Sequence, residues 1–452
     1  MDQQRKIETY LLDEFYNEIA ERERCEFSKC ARFFFRKAKE FYWTVSRIAG
    51  AGHIHDGSWR AENARVDASS RPLLSGDIPA PASPRILIDV SPTHYSDARS
   101  GIQRVVREIG RAAVESGAGL PVFIDNGRLR SHFRHPSLPD TVEIASGDKF
   151  LMLDTGWGHH EDYLPIMEEI SRNKGANIVC LYDLIPILYP KACAPGLLRH
   201  YETWFNKIIL TSDVVLGISK SVAEDFLAYA SNNDVSRQRV GWFYLGADFQ
   251  TDVEQPACAK VEAACSQRAP FFLTVGTLEP RKGYSVALTA FEKLWSAGVD
   301  VRYVIVGRYG WNMRALQRRI REHPEHQRRL FWFDDASDAD LQRLYKGAHG
   351  FVYPSFTEGF GLPIVEATHY ALPVIASDIP VFHEVGGASI NYFDLLDSSD
   401  LAKKIIEALQ KDRVAASLPV LSWGEAAMRL LQMVQGDEYQ CDDARLCRSH
   451  AC

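Results

Sequence analysis

The apolar pattern from residue 85 onward predicts two series of strands that alternate with helices. Short, continuously apolar runs, typical of buried strands, lie at 86–90, 122–124, 149–153, 177–181 and 214–218, and again at 271–275, 302–306, 330–333, 350–353 and 373–376. Stretches of helical periodicity separate them, for example at 102–116, 221–229, 284–297, 314–323, 338–347 and 362–370. Continuous apolar strands that alternate with helices predict parallel sheets covered on both faces.

These patterns divide the chain into six predicted segments. They are a helical segment at 1–50, a Gly-, Ala-, Ser- and Pro-rich linker at 51–84, Rossmann-like domains at 85–265 and 266–420, a closing helix at 421–436 and a tail at 437–452. Ligands of open parallel sheets bind beyond the carboxyl ends of the strands. The predicted fold class is therefore α/β, with two doubly wound domains facing each other across a cleft and an extra N-terminal helical segment.

Residues 25–48 interleave large aromatic side chains with Lys and Arg. This composition is typical of an interfacial helix, which would give a peripheral contact with a membrane or with assembly partners. The alternative is a helix packed on the main body with a solvated basic face. The adjacent residues Phe33, Phe34 and Phe35 favour the alternative, because they cannot share one narrow face of a helix.

Composition and charge narrow the class of partner and compartment. The chain has 452 residues and a net charge of -7, so no general basic field indicates nucleic-acid binding. Its nine cysteines include no Cys-x-x-Cys pair, which favours reduced thiols over a disulfide framework or a zinc site. No apolar run approaches the ~20 residues of a membrane span, and the charged first residues do not resemble a signal peptide. We expect a cytoplasmic protein, or one peripheral to the inner face of the membrane.

A first candidate loop, 275–283, connects a predicted strand to a predicted helix. Gly276 permits a tight turn there, while Arg281 and Lys282 precede the helix N-terminus. A guanidinium and an ammonium group at such a position suit a pyrophosphate. The alternative is a basic loop on a solvated surface.

A second candidate loop, 354–361, also follows a strand. Gly359 and Gly361 leave backbone amides accessible at the start of the next helix, which again suits a phosphate. Glu358 lies in the loop and Glu366 in the helix, where carboxylates can reach sugar and ribose hydroxyls. The alternative is a capping carboxylate and a solvated helix face.

A third stretch, 154–160, follows a strand of the first series and is expected to face the cleft. Trp157 offers a surface on which an acceptor sugar can stack, and Asp154 or His159 can orient a hydroxyl. The alternative is a packed Trp with exposed histidines.

Residues 355–366 resemble the Glu-x7-Glu motif of retaining GT-B glycosyltransferases, specifically the GT4 family. Further motifs occur in the family's order, at 100–104, 182–186, 212–215, 218–221, 276–283 and 358–366, with Ser422-Trp423 in the closing segment. The resemblance spans about residues 85–435 and is strongest at 271–385.

The resemblance implies roles for matching residues. Arg281 and Lys282 would hold the donor diphosphate, Glu358 the donor sugar and Glu366 the ribose. The donor-binding set further comprises Gly101, Gly276, Phe360, Gly361 and Leu362, and Asp183 joins the catalytic residues. Many relatives have His-Asp where this chain has Tyr182-Asp183, so Tyr182 is placed with the acceptor-side candidates.

The implied reaction transfers a hexose, with mannose from GDP-mannose as the leading candidate, onto a saccharide or lipid-linked saccharide acceptor. Retention, bacterial surface-polysaccharide synthesis and the absence of a metal or other cofactor follow from the same resemblance. The alternatives are another GDP- or UDP-sugar transferase, a sugar-nucleotide epimerase, and a non-catalytic sugar-nucleotide-binding scaffold.

Overall fold

The chain forms two compact units, seen in a computed structural model that describes residues 2–27, 71–79, 83–96, 101–233, 235, 238–248, 256–411 and 420–441. The first sheet unit comprises 49–188, 195–246 and 421–452. The second sheet unit comprises 1–48, 189–194 and 247–420. Each is built around one twisted sheet, as the two strand series predict.

The first sheet unit contains a seven-stranded sheet of order β3-β2-β1-β4-β5-β6-β7. Its strands are β1 Ile86–Asp89, β2 Leu120–Asp125, β3 Arg128–Ser131, β4 Lys149–Met152, β5 Ala176–Leu181, β6 Val214–Gly217 and β7 Arg239–Trp242. All neighbours pair in parallel except β2 and β3, which form an antiparallel edge that the sequence pattern did not reveal.

Helices cover this sheet on both faces. They are α2 Ser91–His94, α3 Gly101–Ser116, α4 His160–Arg172, α5 Ile185–Leu188, α6 Pro195–Lys207, α7 Lys220–Asn232 and α15 Trp423–Gly436. The closing helix α15 packs on α3. Its end is fixed by Lys149, whose Nζ donates to the carbonyl oxygen of Val434 (2.6 Å) and to the carboxylate of Asp437 (2.7 Å).

The second sheet unit contains a six-stranded sheet of order β10-β9-β8-β11-β12-β13, parallel throughout. Its strands are β8 Phe271–Val275, β9 Arg302–Val306, β10 Leu330–Phe333, β11 Gly350–Tyr353, β12 Val374–Ser377 and β13 Asn391–Phe393. Its helices are α1 Asp2–Phe27, α8 Ala259–Cys265, α9 Tyr284–Ser296, α10 Arg314–Arg321, α11 Asp338–Gly347, α12 Leu362–His369, α13 Pro380–Gly386 and α14 Ser398–Gln410.

The N-terminal helix α1 packs on the second sheet unit through an acidic face. Glu18 accepts hydrogen bonds from the backbone amides of Arg314 (2.7 Å) and Ala315 (3.3 Å), which begin α10. Glu21 pairs with Arg318 on the same helix (2.8 Å). Both carboxylates can remain buried because Glu21 pairs with a cation and Glu18 accepts from the amides of a helix N-terminus.

The compact units differ in places from the predicted segments. Residues 247–265 belong to the second sheet unit, since α8 packs against α11. Most of the aromatic-basic segment 25–48 lies outside the described residues. In the predicted linker, the backbone amide of Leu74 donates a hydrogen bond to the carbonyl oxygen of Arg134 (3.1 Å). In the predicted tail, Cys441 is disulfide-bonded, which the cysteine pattern did not predict. None of the described helices is both long enough and apolar enough to cross a membrane.

Candidate active site

The two predicted phosphate loops lie together in the second sheet unit, because β8 and β11 are neighbouring parallel strands. Gly283 adopts a φ of 65°, and a Cβ placed on it would lie 2.1 Å from the carbonyl oxygen of Pro354. The backbone amide of Phe356 donates to the carbonyl oxygen of Arg281 (3.0 Å). Only glycine permits this close approach of one loop to the other.

The loops bring Arg281, Lys282 and Glu358 into one buried cluster. Arg281 Nη1 lies 2.6 Å from Glu358 Oε2, and Lys282 Nζ lies 2.6 Å from Glu358 Oε1. Lys282 also donates to the hydroxyl of Tyr353 (2.9 Å), and that hydroxyl donates to Glu358 Oε1 (2.9 Å). A second carboxylate, Glu279, pairs with Arg281 Nε at 3.0 Å.

Burial and charge act against each other in this cluster. Burial would raise the pKa of Glu358, but the charges of Arg281 and Lys282 prevail and lower that pKa to about 2. Burial and the neighbouring Arg281 lower the pKa of Lys282, whereas burial raises the pKa of Glu279. The two cations are thus matched by two carboxylates, Glu279 and Glu358.

The helix that follows the second loop presents its N-terminus at the same edge of the sheet. Gly361 is the N-cap of α12 with a φ of 91°, Leu362 is the first helical residue, and Phe360 is buried. Glu366 is buried inside this helix and accepts a hydrogen bond from the hydroxyl of Tyr345 (2.9 Å). Its role in binding a ribose stays a prediction.

Gly276 shapes the first loop. It follows β8 with a φ of 148°, and its carbonyl oxygen accepts a hydrogen bond from Tyr284. A Cβ on Gly276 would lie 3.5 Å from the side chain of Lys282. That is an ordinary van der Waals distance, so the positive φ, and not the space, favours glycine at this position.

In the first sheet unit, Asp154 and Tyr182 are buried and bonded to backbone groups. Asp154 accepts from the amides of Thr93 and Thr155, both at 2.7 Å, and burial raises its pKa. The hydroxyl of Tyr182 donates to the carbonyl oxygen of Leu153 (2.9 Å). Both side chains fix the loops that follow β4 and β5, and their acceptor-side role stays a prediction.

The remaining candidates of the first sheet unit are more open. Trp157 packs edge-on against Tyr201 and Trp204, with ring centroids 5.5 and 6.3 Å away, as the packed-Trp alternative describes. His159 is half-buried at the start of α4, and Gly101 is exposed at the start of α3. Asp183 is half-exposed and accepts from the amide of Ile185 at 3.0 Å.

Sequence reasoning missed several residues that lie in or beside the cluster of Arg281, Lys282 and Glu358. Tyr353 is the last residue of β11, and a polar atom at a strand's carboxyl end is a signal that could have identified it. Glu279 stands between Gly276 and Arg281 in the first loop. Tyr10 of α1 packs edge-on against Phe356, 5.9 Å between ring centroids, and nothing in the linear pattern connects these two positions.

Within the described part of the chain, no three His, Cys, Asp or Glu side chains come together as metal ligands. The positive charges beside loops 275–283 and 354–361 belong to Arg281 and Lys282. Independence from a metal stays a prediction.

Comparison with known proteins matches these loops to one family. Residues 261–419 match the family described as glycosyl transferases group 1. Over 375 residues the chain is 34% identical to the serotype-specific mannosyltransferase WbdA of Escherichia coli. This alignment covers 77% of this chain and 46% of that protein. It is also 34% identical over 159 residues to O-antigen chain mannosyltransferase B of Escherichia coli, covering 35% of this chain and 39% of that protein. The chain thus spans less than half the length of these relatives.

Solved structures resemble the fold as a whole. Sucrose-phosphate synthase from Thermosynechococcus elongatus has a TM-score of 0.53 at 17% identity, covering 77% of this chain and 94% of that one. An alpha,alpha-trehalose-phosphate synthase (UDP-forming) from Burkholderia vietnamiensis has a TM-score of 0.51 at 11% identity, covering 77% and 94%. The predicted GT-B fold is confirmed. Over 77% of its length the chain is similar to a mannosyltransferase, and its residues 261–419 match the glycosyl transferases group 1 family.

Proposed function

We propose that this protein is a glycosyltransferase that moves mannose from GDP-mannose onto a saccharide or lipid-linked saccharide, with retention, in bacterial surface-polysaccharide synthesis. The observation that carries the proposal is the buried cluster of Arg281, Lys282 and Glu358 at the carboxyl ends of β8 and β11. It lies inside a group 1 glycosyltransferase domain, in a chain similar to O-antigen mannosyltransferases.

The cluster suits a reaction in which a nucleoside diphosphate leaves. As the bond to the sugar breaks, negative charge develops on the diphosphate, and Arg281 and Lys282 would stabilise it without a metal. Glu358, released from these cations, would then face the sugar hydroxyls. Glu366 would bind the ribose.

The acceptor would bind at the carboxyl ends of the strands in the first sheet unit. Asp183 and His159 are the more accessible predicted side chains there, whereas Asp154 and Tyr182 hold the loop backbones in place. We therefore expect substitution of His159 to raise the KM for the acceptor, and substitution of Asp183, which is predicted as a catalytic residue, to lower kcat.

The deciding experiment measures transfer by the full chain from GDP-mannose, GDP-glucose, UDP-glucose and UDP-galactose to a mannose-terminated oligosaccharide. Transfer from GDP-mannose and an anomeric NMR signal that keeps the donor's configuration are expected. The Lys282→Ala variant should lose transfer, while Lys346→Ala, which changes an exposed lysine of α11, should keep it. Transfer from a UDP-sugar alone would refute the donor assignment, and nucleotide binding without transfer would favour a scaffold.

Peripheral contact with the inner face of the membrane through residues 25–48 is part of the same proposal. It is supported by their interleaved aromatic and basic side chains, against the packed-helix alternative that the adjacent residues Phe33, Phe34 and Phe35 favour. Co-sedimentation of the full chain with vesicles containing phosphatidylglycerol, but not with purely zwitterionic vesicles, is expected. Replacing Arg32, Arg36 and Lys37 by Gln should abolish it, and equal binding by that variant would contradict the proposal.

A further inference from the structure

A polar pocket lies within the first sheet unit. It has a volume of about 240 Å³ and is lined by α3, by residues that follow β1 and by residues that follow β3. Its polar wall comprises Thr93, His94 and Ser96 after β1, Arg107 and Arg111 on α3, and His132 after β3. Gly110 of α3 faces Pro121, and a Cβ there would make an ordinary van der Waals contact at 3.7 Å.

The charge in this wall has one sign. Its residues include two arginines and two histidines but no Asp or Glu. Arg107 and Arg111 are four residues apart, one turn of α3, so their guanidinium groups lie on the same face of the helix. Both arginines are exposed, and behind the wall the buried carboxylate of Asp154 accepts from the amide of Thr93 and interacts with Arg107.

The two histidines form a neutral pair that can donate and accept hydrogen bonds. Their Nδ1 atoms lie 3.1 Å apart, and His94 stacks on Phe123 with ring centroids 3.7 Å apart. Burial, with the charges of nearby arginines, lowers the pKa of His94 to about 4 and that of His132 to about 3. One hydrogen bond joins the rings, which leaves the Nε2 atoms for other partners.

We propose that this pocket binds an oxyanion, a phosphate or carboxylate group carried by a saccharide. Guanidinium groups in a fixed fork match the geometry of either group. The volume is below the roughly 300 Å³ at which pockets for drug-sized ligands begin, so it fits a small charged group better than a whole nucleotide. Because α2 follows β1, the pocket borders the strand end where the acceptor would bind. Its assignment to an acceptor rests on the proposed function, but oxyanion binding itself does not.

The test uses the full chain with ¹⁵N-labelled histidine and follows the imidazole signals by NMR. Signals of His94 and His132 are assigned with His94→Gln and His132→Gln variants. Inorganic phosphate, mannose 6-phosphate and glucuronate are titrated at constant ionic strength. Phosphate is also expected at Arg281 and Lys282, so the titration is repeated with the Lys282→Ala variant, in which the shifts of the His94 and His132 signals should be unchanged.

We expect mannose 6-phosphate or glucuronate to shift the His94 and His132 signals at lower concentration than inorganic phosphate. The Arg107→Gln/Arg111→Gln double variant should weaken this binding by about tenfold or more, because two charge-assisted hydrogen bonds are lost. Arg128→Gln, which changes an exposed arginine on β3, is the matched control and should bind normally.

Two outcomes would overturn the inference. One is the absence of a shift in both histidine signals at saturating ligand in a folded sample. The other is equal affinity in the double variant and the control. A transfer assay that fails while the histidine titration succeeds would reject the proposed function and keep the oxyanion site. A stronger effect of inorganic phosphate than of the sugar acids would reject a saccharide as the carrier.

Discussion

Glu358 and Asp89 are both buried carboxylates near the carboxyl end of a parallel strand, and their surroundings differ. Glu358 in the second sheet unit faces Arg281 and Lys282, which lower its pKa to about 2 despite burial. Asp89 in the first sheet unit accepts hydrogen bonds from Ser91 and Tyr163, and within the described part of the chain no ion pair joins it to a cation. Burial raises its pKa to about 7 against those hydrogen bonds, and the neighbouring charge of Asp154 adds to the rise.

The difference separates a binding arrangement from a structural one. A carboxylate paired with two cations can be exchanged for another anion, because the cations keep a partner throughout. A carboxylate held by hydroxyl and amide groups cannot leave without exposing buried donors, at a cost of about 1–3 kcal/mol each. Under the proposed function the cluster of the second sheet unit would receive the anionic donor, whereas the buried acids of the first sheet unit hold its loops in place.

The largest expected effect follows from removing a cation from the exchangeable cluster. Lys282→Ala should lower kcat by about 10²- to 10³-fold, as loss of a transition-state charge stabiliser does. Initial-rate kinetics with the donor varied would measure it, and a thermal melt would establish that the variant is folded. A kcat within threefold of the wild type would mean that Lys282 only neutralises Glu358.

The next effect concerns the pH dependence of stability, which should have opposite signs in the two units. Asp89 has a raised pKa in the folded state, so its contribution is present below about pH 4 and is lost as the pH rises to about 7. Glu358 has a lowered pKa, so its contribution is present above its ordinary pKa of 4.5 and is lost as the pH falls towards 2.

Urea unfolding at pH 5 and pH 8 tests the sign of the pH dependence that Asp89 contributes to the free energy of unfolding. Asp89→Asn should remove on the order of 2 kcal/mol of the difference between the two pH values. Asp77→Asn, at an exposed position of the same unit, is the control and should leave that difference unchanged. Unaltered pH dependence in Asp89→Asn would show that the hydrogen bonds keep this carboxylate ionised.

The sequence was a better guide to the second sheet unit than to the first. Arg281, Lys282 and Glu358 stand in two loops that follow strands, and parallel pairing of β8 with β11 brings those loops together. Charged residues with glycine beside them mark such a site in the linear pattern. Ten strands of the two units were likewise visible, because a strand buried on both faces is mostly apolar, whereas β3, β7 and β13 do not belong to the two predicted series.

Other features depend on contacts between distant positions and leave no local signal. Trp157 looks the same in sequence whether it stacks on a sugar or packs against Tyr201. The antiparallel strand β3 reads as a polar loop, because its residues Arg128 and Arg130 alternate with buried ones. The pairing of Glu18 with the first turn of α10 joins positions almost 300 residues apart.

A smaller effect tests whether Glu358 and a diphosphate compete for Arg281 and Lys282. Glu358→Gln removes the carboxylate that competes with the diphosphate, so free GDP should bind about tenfold more tightly while transfer is lost. Isothermal titration calorimetry of the variant with GDP measures the change, and Glu322→Gln, at an exposed position, serves as the control. Weaker GDP binding would mean that Glu358 orients the cations for the phosphate and does not compete with it.

The smallest effects concern α1, which contacts α10 through Glu18 and the loop 354–361 through Tyr10. Glu18 caps α10 across the interface, so Glu18→Gln should lower the free energy of unfolding by about 1 kcal/mol, while Glu8→Gln on the exposed face should not.

Tyr10 and Tyr189 both pack edge-on against Phe356, two residues before Glu358, so a loosened α1 should also disturb the donor loop. Tyr10→Ala is therefore expected to raise the KM for the donor about threefold with kcat nearly unchanged, because packing of the loop affects binding of the substrate and of the transition state alike. A fall in kcat at constant KM would instead mean that α1 aligns Glu358 only in the transition state.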